Sequence, residues 1–458
     1  MDKEIKADDM HISIREKLAY SLGDMASNVV WSAAGAFLTY YYTNVVGLAA
    51  AAAGTIMLVS RIFDGLSDII MGGIIDKTKS KFGKARPWLL WMSGPFALAA
   101  FLLFAVPREW GETAKVVYAF ITYNLMSTVV YTAINLPYGV MNAMMTNNVR
   151  DRTHLNIFRM MGALTMGIAA NMLVIPLVRI FGNGNETDPR GWTLTFTMLG
   201  VIAACLFLLC FFGTKERIQT EPQKKGGASV IKSLPLLFKN KFWVILLITG
   251  MIGQMSFGFG GVNPFFAQYF LGDVGLAGIL GVLFIAPMFV ALPLAGILIG
   301  KIGKRNSIVS CYILGLVGFI VQAINPYNFT FIIIGSIIKS LGMAPAMACG
   351  FAMFADVIDY HEWKNGLRSE GIVYSAASFG NKVGAGLGAA ILGWLLAFGH
   401  FNSELVVQPD SAMNSIIAVF IWIPFAMQIV NIILFSQYKL EKIYPQILDD
   451  LAKRKEGV

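Results

Sequence analysis

Two aspartates and one arginine lie inside a long apolar run near the start of the chain. The run extends from about residue 48 to residue 75, long enough to cross the ~30 Å hydrocarbon core of a bilayer as a helix. Asp64 and Asp68 share one helical face, and Arg61 lies about one turn earlier on the same side. Because an ionisable side chain at bilayer depth costs at least ~2.5 kcal/mol on insertion scales, we expect these residues to face partners or water.

Two carboxylates that face water within a membrane can form a cation site. Their oxygens are suitable ligands for Na⁺, and like charges placed side by side also favour protonation of one of them. The pair therefore predicts a site for H⁺ or Na⁺ at Asp64 and Asp68. The alternative is a structural pair in which Arg61 neutralises one aspartate.

The composition is that of a membrane protein. Of 458 residues, 56% are hydrophobic and 14% are charged, which is too apolar for a soluble globule. Apolar runs separated by polar loops predict an all-α protein of twelve transmembrane helices. The runs lie at about residues 18–44, 48–75, 87–106, 114–145, 156–181, 192–213, 242–270, 276–300, 307–325, 329–357, 371–398 and 412–436.

The distribution of Lys and Arg predicts the orientation in the membrane. If both termini are cytoplasmic, the inside segments carry 28 of the 36 basic residues and the outside loops carry four. Because basic residues favour the cytoplasmic side, we expect both termini there, in a multi-pass protein of the bacterial cytoplasmic (inner) membrane. The net charge of +9 is therefore a topology signal and does not predict a nucleic-acid partner.

The chain has two similar halves. A basic loop after the second run, Asp76-Lys-Thr-Lys-Ser-Lys-Phe-Gly83-Lys-Ala-Arg86-Pro87, corresponds in position to Gly300-Lys-Ile-Gly303-Lys-Arg305 after the eighth. Similar loops at matching positions are typical of the two six-helix bundles of the major facilitator fold. In that fold we expect the substrate to bind between the halves near the midplane of the membrane. The predicted parts are an N-terminal bundle (1–213), a cytoplasmic linker (214–241), a C-terminal bundle (242–436) and a cytoplasmic tail (437–458).

Further polar residues inside the apolar runs are candidates for a substrate pathway. Asn135 lies on a polar face of the fourth run. The guanidinium of Arg159 suits sugar hydroxyls or a carboxylate, or a structural bond to an aspartate. Lys339 and Lys382 could donate to a sugar hydroxyl, attract an anionic sugar or balance the aspartates. Together with Arg159 they weakly favour an acidic sugar such as a hexuronide.

Mixed charges mark the inner end of the tenth run. Asp359, Glu362 and Arg368 suit a cytoplasmic gate whose ion pairs form in one state and break in another, and a static solvated loop is the competing interpretation. Asp24, about two turns into the first run, is a gating candidate at the inner mouth. Snorkelling or pairing would explain it equally well.

Six motifs occur in order along nearly the whole chain. They are Tyr20-Ser-Leu-Gly-Asp24, Tyr40-Tyr-Tyr-Thr43-Asn, Arg61-Ile-Phe-Asp64 with Asp68, Gly83-Lys-Ala-Arg-Pro87, Asn135-Leu-Pro-Tyr138 and Asp359-Tyr-His-Glu-Trp-Lys-Asn-Gly-Leu-Arg368. With these motifs the chain resembles the glycoside-pentoside-hexuronide:cation symporters, a sodium:galactoside symporter family of the major facilitator superfamily. The resemblance implies a secondary transporter that imports a sugar or glycoside with H⁺, Na⁺ or Li⁺.

The resemblance also implies roles for single residues. Asp64 and Asp68 match the cation-site aspartates of the family, and Ser67 and Thr132 match polar positions beside them. Arg159 matches a sugar-contacting arginine, and Lys382 matches a lysine near the sites.

Some positions depart from the melibiose-transporting members of that family. Their Lys-Asp pair in the first helix is Ser27-Asn28 here, their helix-four aspartate is Asn135, and the tryptophan one turn later is Gly139. The loss of a carboxylate at position 135 favours H⁺ over Na⁺ coupling. The matched positions make Asn28 and Asn135 candidate sugar-binding residues.

The predicted activity is secondary active symport by alternating access, carried out by a monomer in the lipid bilayer. An uncoupled sugar facilitator and a carrier of an amphipathic solute such as a lysolipid remain as alternatives. An enzyme is not predicted, and neither is a cofactor, since the sequence has no nucleophile-base constellation, metal spacing or phosphate loop beyond chance.

Overall fold

The computed structural model describes residues 12–146, 148–218, 236–366 and 370–456. Throughout these ranges the regular secondary structure is helical. The chain divides into two compact units, Met1–Lys224 with Phe401–Gln408, and Lys225–His400 with Pro409–Val458. Most of the predicted linker and the predicted gating residue Arg368 lie outside the described residues, so the domain bounds stay predictions.

The first unit contains seven helices in its described part. They are α1 (Ile14–Tyr40), α2 (Ala50–Lys77), α3 (Arg86–Leu103), α4 (Glu112–Asn124), α5 (Thr132–Met145), α6 (Val149–Phe181) and α7 (Pro189–Gly213). A π-helical segment, Tyr41–Val45, extends α1, and another, Leu125–Tyr131, joins α4 to α5.

The second unit contains ten helices in its described part. They are α8 (Lys241–Gly258), α9 (Asn263–Phe270), α10 (Leu276–Ile285), α11 (Met288–Ile302), α12 (Lys304–Ile324), α13 (Phe329–Asn365), α14 (Glu370–Phe398), α15 (Asp410–Ile417), α16 (Ile423–Ser436) and α17 (Leu440–Glu456). The π-helical segment Ala418–Trp422 joins α15 to α16, and α17 forms much of the predicted tail.

Nine helical segments of the described residues are long and apolar enough to cross a membrane. The three earliest apolar runs fall outside these nine and form α1, α2 and α3. The predicted all-α, multi-span fold is therefore confirmed, and the count of twelve spans stays a prediction.

The two basic loops at matching positions in the two halves make the same kind of hydrogen-bonding arrangement. In the first unit, Gly83 has a φ of 107°, and the carboxylate of Glu216 fills the space that a side chain there would need. Glu216 accepts hydrogen bonds from the backbone N–H groups of Lys84, Ala85 and Arg86 at 2.5–2.9 Å. The carboxylate thereby caps the positive N-terminal end of α3.

The second unit repeats this cap at the start of α12. Gly303 has a φ of 83°, and Glu441 accepts from the backbone N–H groups of Lys304 at 2.7 Å and Arg305 at 3.3 Å. Arg305 also donates to the backbone carbonyl of Ser436, as Arg86 donates to the carbonyl of Phe211 in the first unit. One end of each unit is thus tied together by a carboxylate and an arginine.

Candidate cation and sugar site

The α2 carboxylate of Asp64 is surrounded by hydrogen-bond donors. Its Oδ2 accepts from Nη1 of Arg61 at 3.1 Å, and its Oδ1 accepts from Thr128 at 2.5 Å and Ser127 at 3.2 Å. Asp64 is only 3% exposed. Both carboxylate oxygens are therefore engaged, and a guanidinium compensates the charge, which is the arrangement that makes a buried carboxylate tolerable.

The remaining predicted cation-site residues are Ser67 and Asp68, one helical turn further along α2, and Thr132 at the start of α5. The hydroxyl of Thr132 contacts Oδ1 of Asp68 at 3.5 Å and lies 3.2 Å from the hydroxyl of Ser67. Ser67 also donates to the backbone carbonyl of Asp64 at 2.9 Å. The structure thus brings Asp64, Ser67, Asp68 and Thr132 together between α2 and the start of α5.

Local helix geometry explains how the hydroxyl groups reach α2. Ser127 and Thr128 belong to the π-helical segment between α4 and α5, and Thr132 begins α5. A π-helical segment widens the turn and changes the direction of the side chains that follow it, which is why such segments are frequent at functional sites. Here three hydroxyl groups from one helical segment meet both aspartates.

Aromatic rings cover the arginine of this cluster. The guanidinium carbon of Arg61 lies 4.8 Å from the ring centroid of Trp31 on α1. Trp31 in turn stacks on Tyr131 with ring centroids 4.7 Å apart. A desolvated cation–π contact of this kind contributes roughly 2 kcal/mol, so it helps to keep the charge of Arg61 beside Asp64.

A second ion pair joins α1 to α6. Nε of Arg159 donates to Oδ2 of Asp24 at 2.5 Å, and Asp24 is 8% exposed. The guanidinium lies 4.9 Å from the ring centroid of Tyr138. Asn28, one turn after Asp24, donates its amide to the backbone carbonyl of Asp24 at 2.9 Å. The structural bond to an aspartate that the sequence left open for Arg159 is therefore present.

The predicted lysines lie in the second unit. Nζ of Lys339 donates to Oε1 of Gln322 at 3.1 Å and lies 4.3 Å and 5.2 Å from the ring centroids of Phe319 and Phe420. Lys339 is thus enclosed by α12, α13 and the π-helical segment Ala418–Trp422. Lys382 is a half-buried residue of α14.

One of the predicted gating residues, Asp359, contacts α17. Oδ2 of Asp359 accepts from the hydroxyl of Tyr444 at 2.8 Å, and burial together with this carboxylate raises the pKa of Tyr444 above its ordinary value. The carbonyl of Glu362 accepts from the N–H of Gly366 at the end of α13. Asp359 is therefore tied to a helix of its own unit.

Several residues of these clusters were not predicted. They are Ser127 and Thr128 beside Asp64, Tyr138 beneath Arg159, Gln322 beside Lys339 and Tyr444 beside Asp359. A sequence signal existed for the first two, because Ser127 and Thr128 precede Thr132 by about one turn. The other contacts join helices that are distant in sequence.

Buried charges held by hydroxyl groups and counter-ions, inside apolar helices of a two-unit all-helical chain, define a polytopic membrane transporter. A family model described as "MFS/sugar transport protein" matches residues 19–442. The chain belongs to this sugar transporter family. It is accordingly a transporter and not an enzyme.

Relatives agree with this assignment, and a solved structure agrees with the fold. The isoprimeverose transporter of Lactiplantibacillus pentosus is 35% identical over 96% of this chain and 91% of its own length. The putative glycoside/cation symporter YagG of Escherichia coli (strain K12) is 33% identical over 98% of this chain and 97% of its own length. A crystal structure of a D-xylose-proton symporter superposes with a TM-score of 0.63 at 15% identity, covering 93% of this chain and 97% of that one, which supports the fold.

Proposed function

We propose that this protein imports a sugar or glycoside by symport with H⁺ through alternating access. The observation that carries the proposal is the α2 cluster, in which Arg61 compensates Asp64 beside a second carboxylate, Asp68, with two hydroxyl groups. The names of the two relatives, an isoprimeverose transporter and a glycoside/cation symporter, support the substrate class and the coupling.

The hydrogen bonds that Asp64 already accepts favour H⁺ over Na⁺ as the coupling ion. A hard metal ion needs several oxygen ligands, and both carboxylate oxygens of Asp64 already accept hydrogen bonds from protein donors. With Arg61 present, the two carboxylates and the guanidinium together carry one negative charge. A single proton on Asp68 neutralises that charge without rebuilding the hydrogen bonds of Asp64.

Coupling follows if proton and sugar each raise the affinity for the other, and this effect is reciprocal by thermodynamic necessity. A coupling free energy of ~1–3 kcal/mol is typical and suffices for strong mutual dependence. In this scheme the doubly loaded carrier and the empty carrier reorient readily, and the half-loaded forms reorient poorly.

The setting of the transporter completes the proposal. The distribution of basic residues supports cytoplasmic termini, and the name of a relative, the inner membrane symporter YicJ of Escherichia coli (strain K12), supports a place in the bacterial cytoplasmic membrane. Both units belong to a single chain, which supports a monomer as the functional unit.

Uptake of labelled isoprimeverose into membrane vesicles tests the proposal. We expect an inward proton gradient to drive accumulation above the external concentration, and a protonophore to abolish it, because the driving force is the proton gradient. A Na⁺ gradient without a proton gradient should give no accumulation. Accumulation driven by Na⁺ alone would contradict H⁺ coupling, and equilibration without accumulation would indicate a facilitator.

A further inference from the structure

Asp24 binds the Nε edge of the guanidinium of Arg159. Its Oδ2 accepts from Nε of Arg159 at 2.5 Å. Because a guanidinium has five N–H donors, the bond at Nε leaves the terminal amino groups of Arg159 able to donate to a ligand.

One face of the same guanidinium rests on an immobilised ring. Tyr138 lies 4.9 Å beneath Arg159 and donates its hydroxyl to the carbonyl of Tyr20 at 2.7 Å, while Tyr20 donates to the carbonyl of Tyr138 at 3.2 Å. The ring of Tyr138 also fills the space where a side chain at Gly23 would lie. The carboxylate and the ring together fix both the direction and the plane of the guanidinium.

The terminal amino groups face a position without a side chain. Nη1 of Arg159 lies 3.8 Å from the place that a Cβ would take at Gly139 on α5. Asn135 lies one turn before Gly139 on the same face of α5, so its amide is next to the space beside Nη1.

One buried polar atom beside this space, Oδ1 of Asn135, has no hydrogen-bond partner within the described residues. Buried polar atoms are nearly always hydrogen-bonded in folded proteins. A buried acceptor without a partner, next to the guanidinium of Arg159, therefore indicates where a ligand binds.

We infer that Asp24 is a positioning residue, which presents the terminal amino groups of Arg159 to a ligand with adjacent hydroxyl groups. The guanidinium donates to the oxygens of a vicinal diol, and Oδ1 of Asn135 accepts from one of its hydroxyl groups. The inference rests on the proposed sugar transport and assigns Asp24 to substrate affinity instead of gating.

Sugar counterflow in de-energised vesicles tests this assignment through KM and Vmax. We expect Asp24→Asn to raise KM for isoprimeverose about tenfold, because a charge-assisted hydrogen bond is lost, with Vmax within about threefold of the wild type. Asp24→Glu should restore part of the affinity, since it keeps a carboxylate within reach of Arg159.

Asp151 provides the matched control. It is 4% exposed and pairs with Lys17 at 2.6 Å, so it forms another buried ion pair between α1 and α6. If Asp24 only held these helices together, Asp151→Asn would raise KM as much as Asp24→Asn. We expect Asp151→Asn to leave KM unchanged.

Gly139→Leu offers a second test that leaves the Asp24–Arg159 pair in place. A leucine side chain would fill the space beside Nη1, and we expect KM to rise with little change in thermal stability. An unchanged KM in both Asp24→Asn and Gly139→Leu, or a lowered Vmax alone, would overturn the inference.

Failure of the proposed coupling would be distinguishable from failure of this inference. Counterflow requires sugar binding and reorientation but no ion gradient. Loss of proton-driven accumulation with the expected KM pattern would contradict H⁺ symport alone. Normal accumulation with an unaltered KM in the variants would contradict the role of Asp24 alone.

Discussion

Replacing Asp64 and Asp68 together by asparagine is expected to abolish sugar accumulation and to preserve sugar counterflow. Both carboxylates lie in one hydroxyl-lined cluster on α2, so the double replacement removes the groups that can take up the coupling ion. Without that ion the sugar can only equilibrate, and the ratio of internal to external sugar should fall to about 1. Labelled-sugar uptake in energised vesicles measures this ratio.

Asp151→Asn is the control for the double variant. It removes a buried, paired carboxylate from the same unit, away from the α2 cluster. We expect it to retain accumulation. Accumulation by the Asp64→Asn, Asp68→Asn protein would show that the coupling ion binds elsewhere.

If coupling is to H⁺ as proposed, replacing Arg61 by glutamine is expected to make transport responsive to Na⁺. Removal of one partner of a buried ion pair leaves an uncompensated charge, which typically costs ~3–5 kcal/mol. In this variant Asp64 loses its contact with Arg61, and a monovalent cation can compensate its charge. At pH 8, where protons are scarce, we expect uptake without Na⁺ to fall at least about tenfold, a change worth ~1.4 kcal/mol.

The companion variant removes the charge that Arg61 compensates. In Arg61→Gln combined with Asp64→Asn, the cluster again carries a single carboxylate, and uptake should return to Na⁺ indifference. Measurement of initial rates with and without Na⁺ compares the proteins. An Arg61→Gln protein that ignores Na⁺ would show that Arg61 does not set the ion preference.

The charged residues inside the apolar runs were the informative part of the sequence. The spacing of Arg61, Asp64 and Asp68 predicted a shared helical face, and the structure shows it directed at Thr132. The structure contains the ion pair of the alternative interpretation, because Arg61 contacts Asp64, and the cation site at Asp64 and Asp68 stays a prediction.

Contacts between distant helices were beyond reach of the sequence. Asp24 and Arg159 are separated by 135 residues, and nothing in their local patterns predicts a pair. The π-helical segment Leu125–Tyr131 depends on helix packing, so its effect on Ser127 and Thr128 could not be read from periodicity.

The structure also removes one reason to expect an acidic sugar as the substrate. Three cations near the pathway favoured a hexuronide, but Asp24 compensates the charge of Arg159. Lys339 is bound by an amide and two aromatic rings within its own unit, where neither an aspartate nor a sugar is needed to explain it. The number of cations therefore no longer favours an acidic substrate.

The most direct test of the central claim is the external pH of a lightly buffered, de-energised cell suspension as each of a panel of neutral and acidic glycosides is added. Because Arg61 compensates one of the two aspartates, we predict a transient alkalinisation of about one proton per sugar imported, unaffected by Na⁺. Sugar uptake that Na⁺ stimulates, without any change in pH, would contradict H⁺ symport through the α2 cluster.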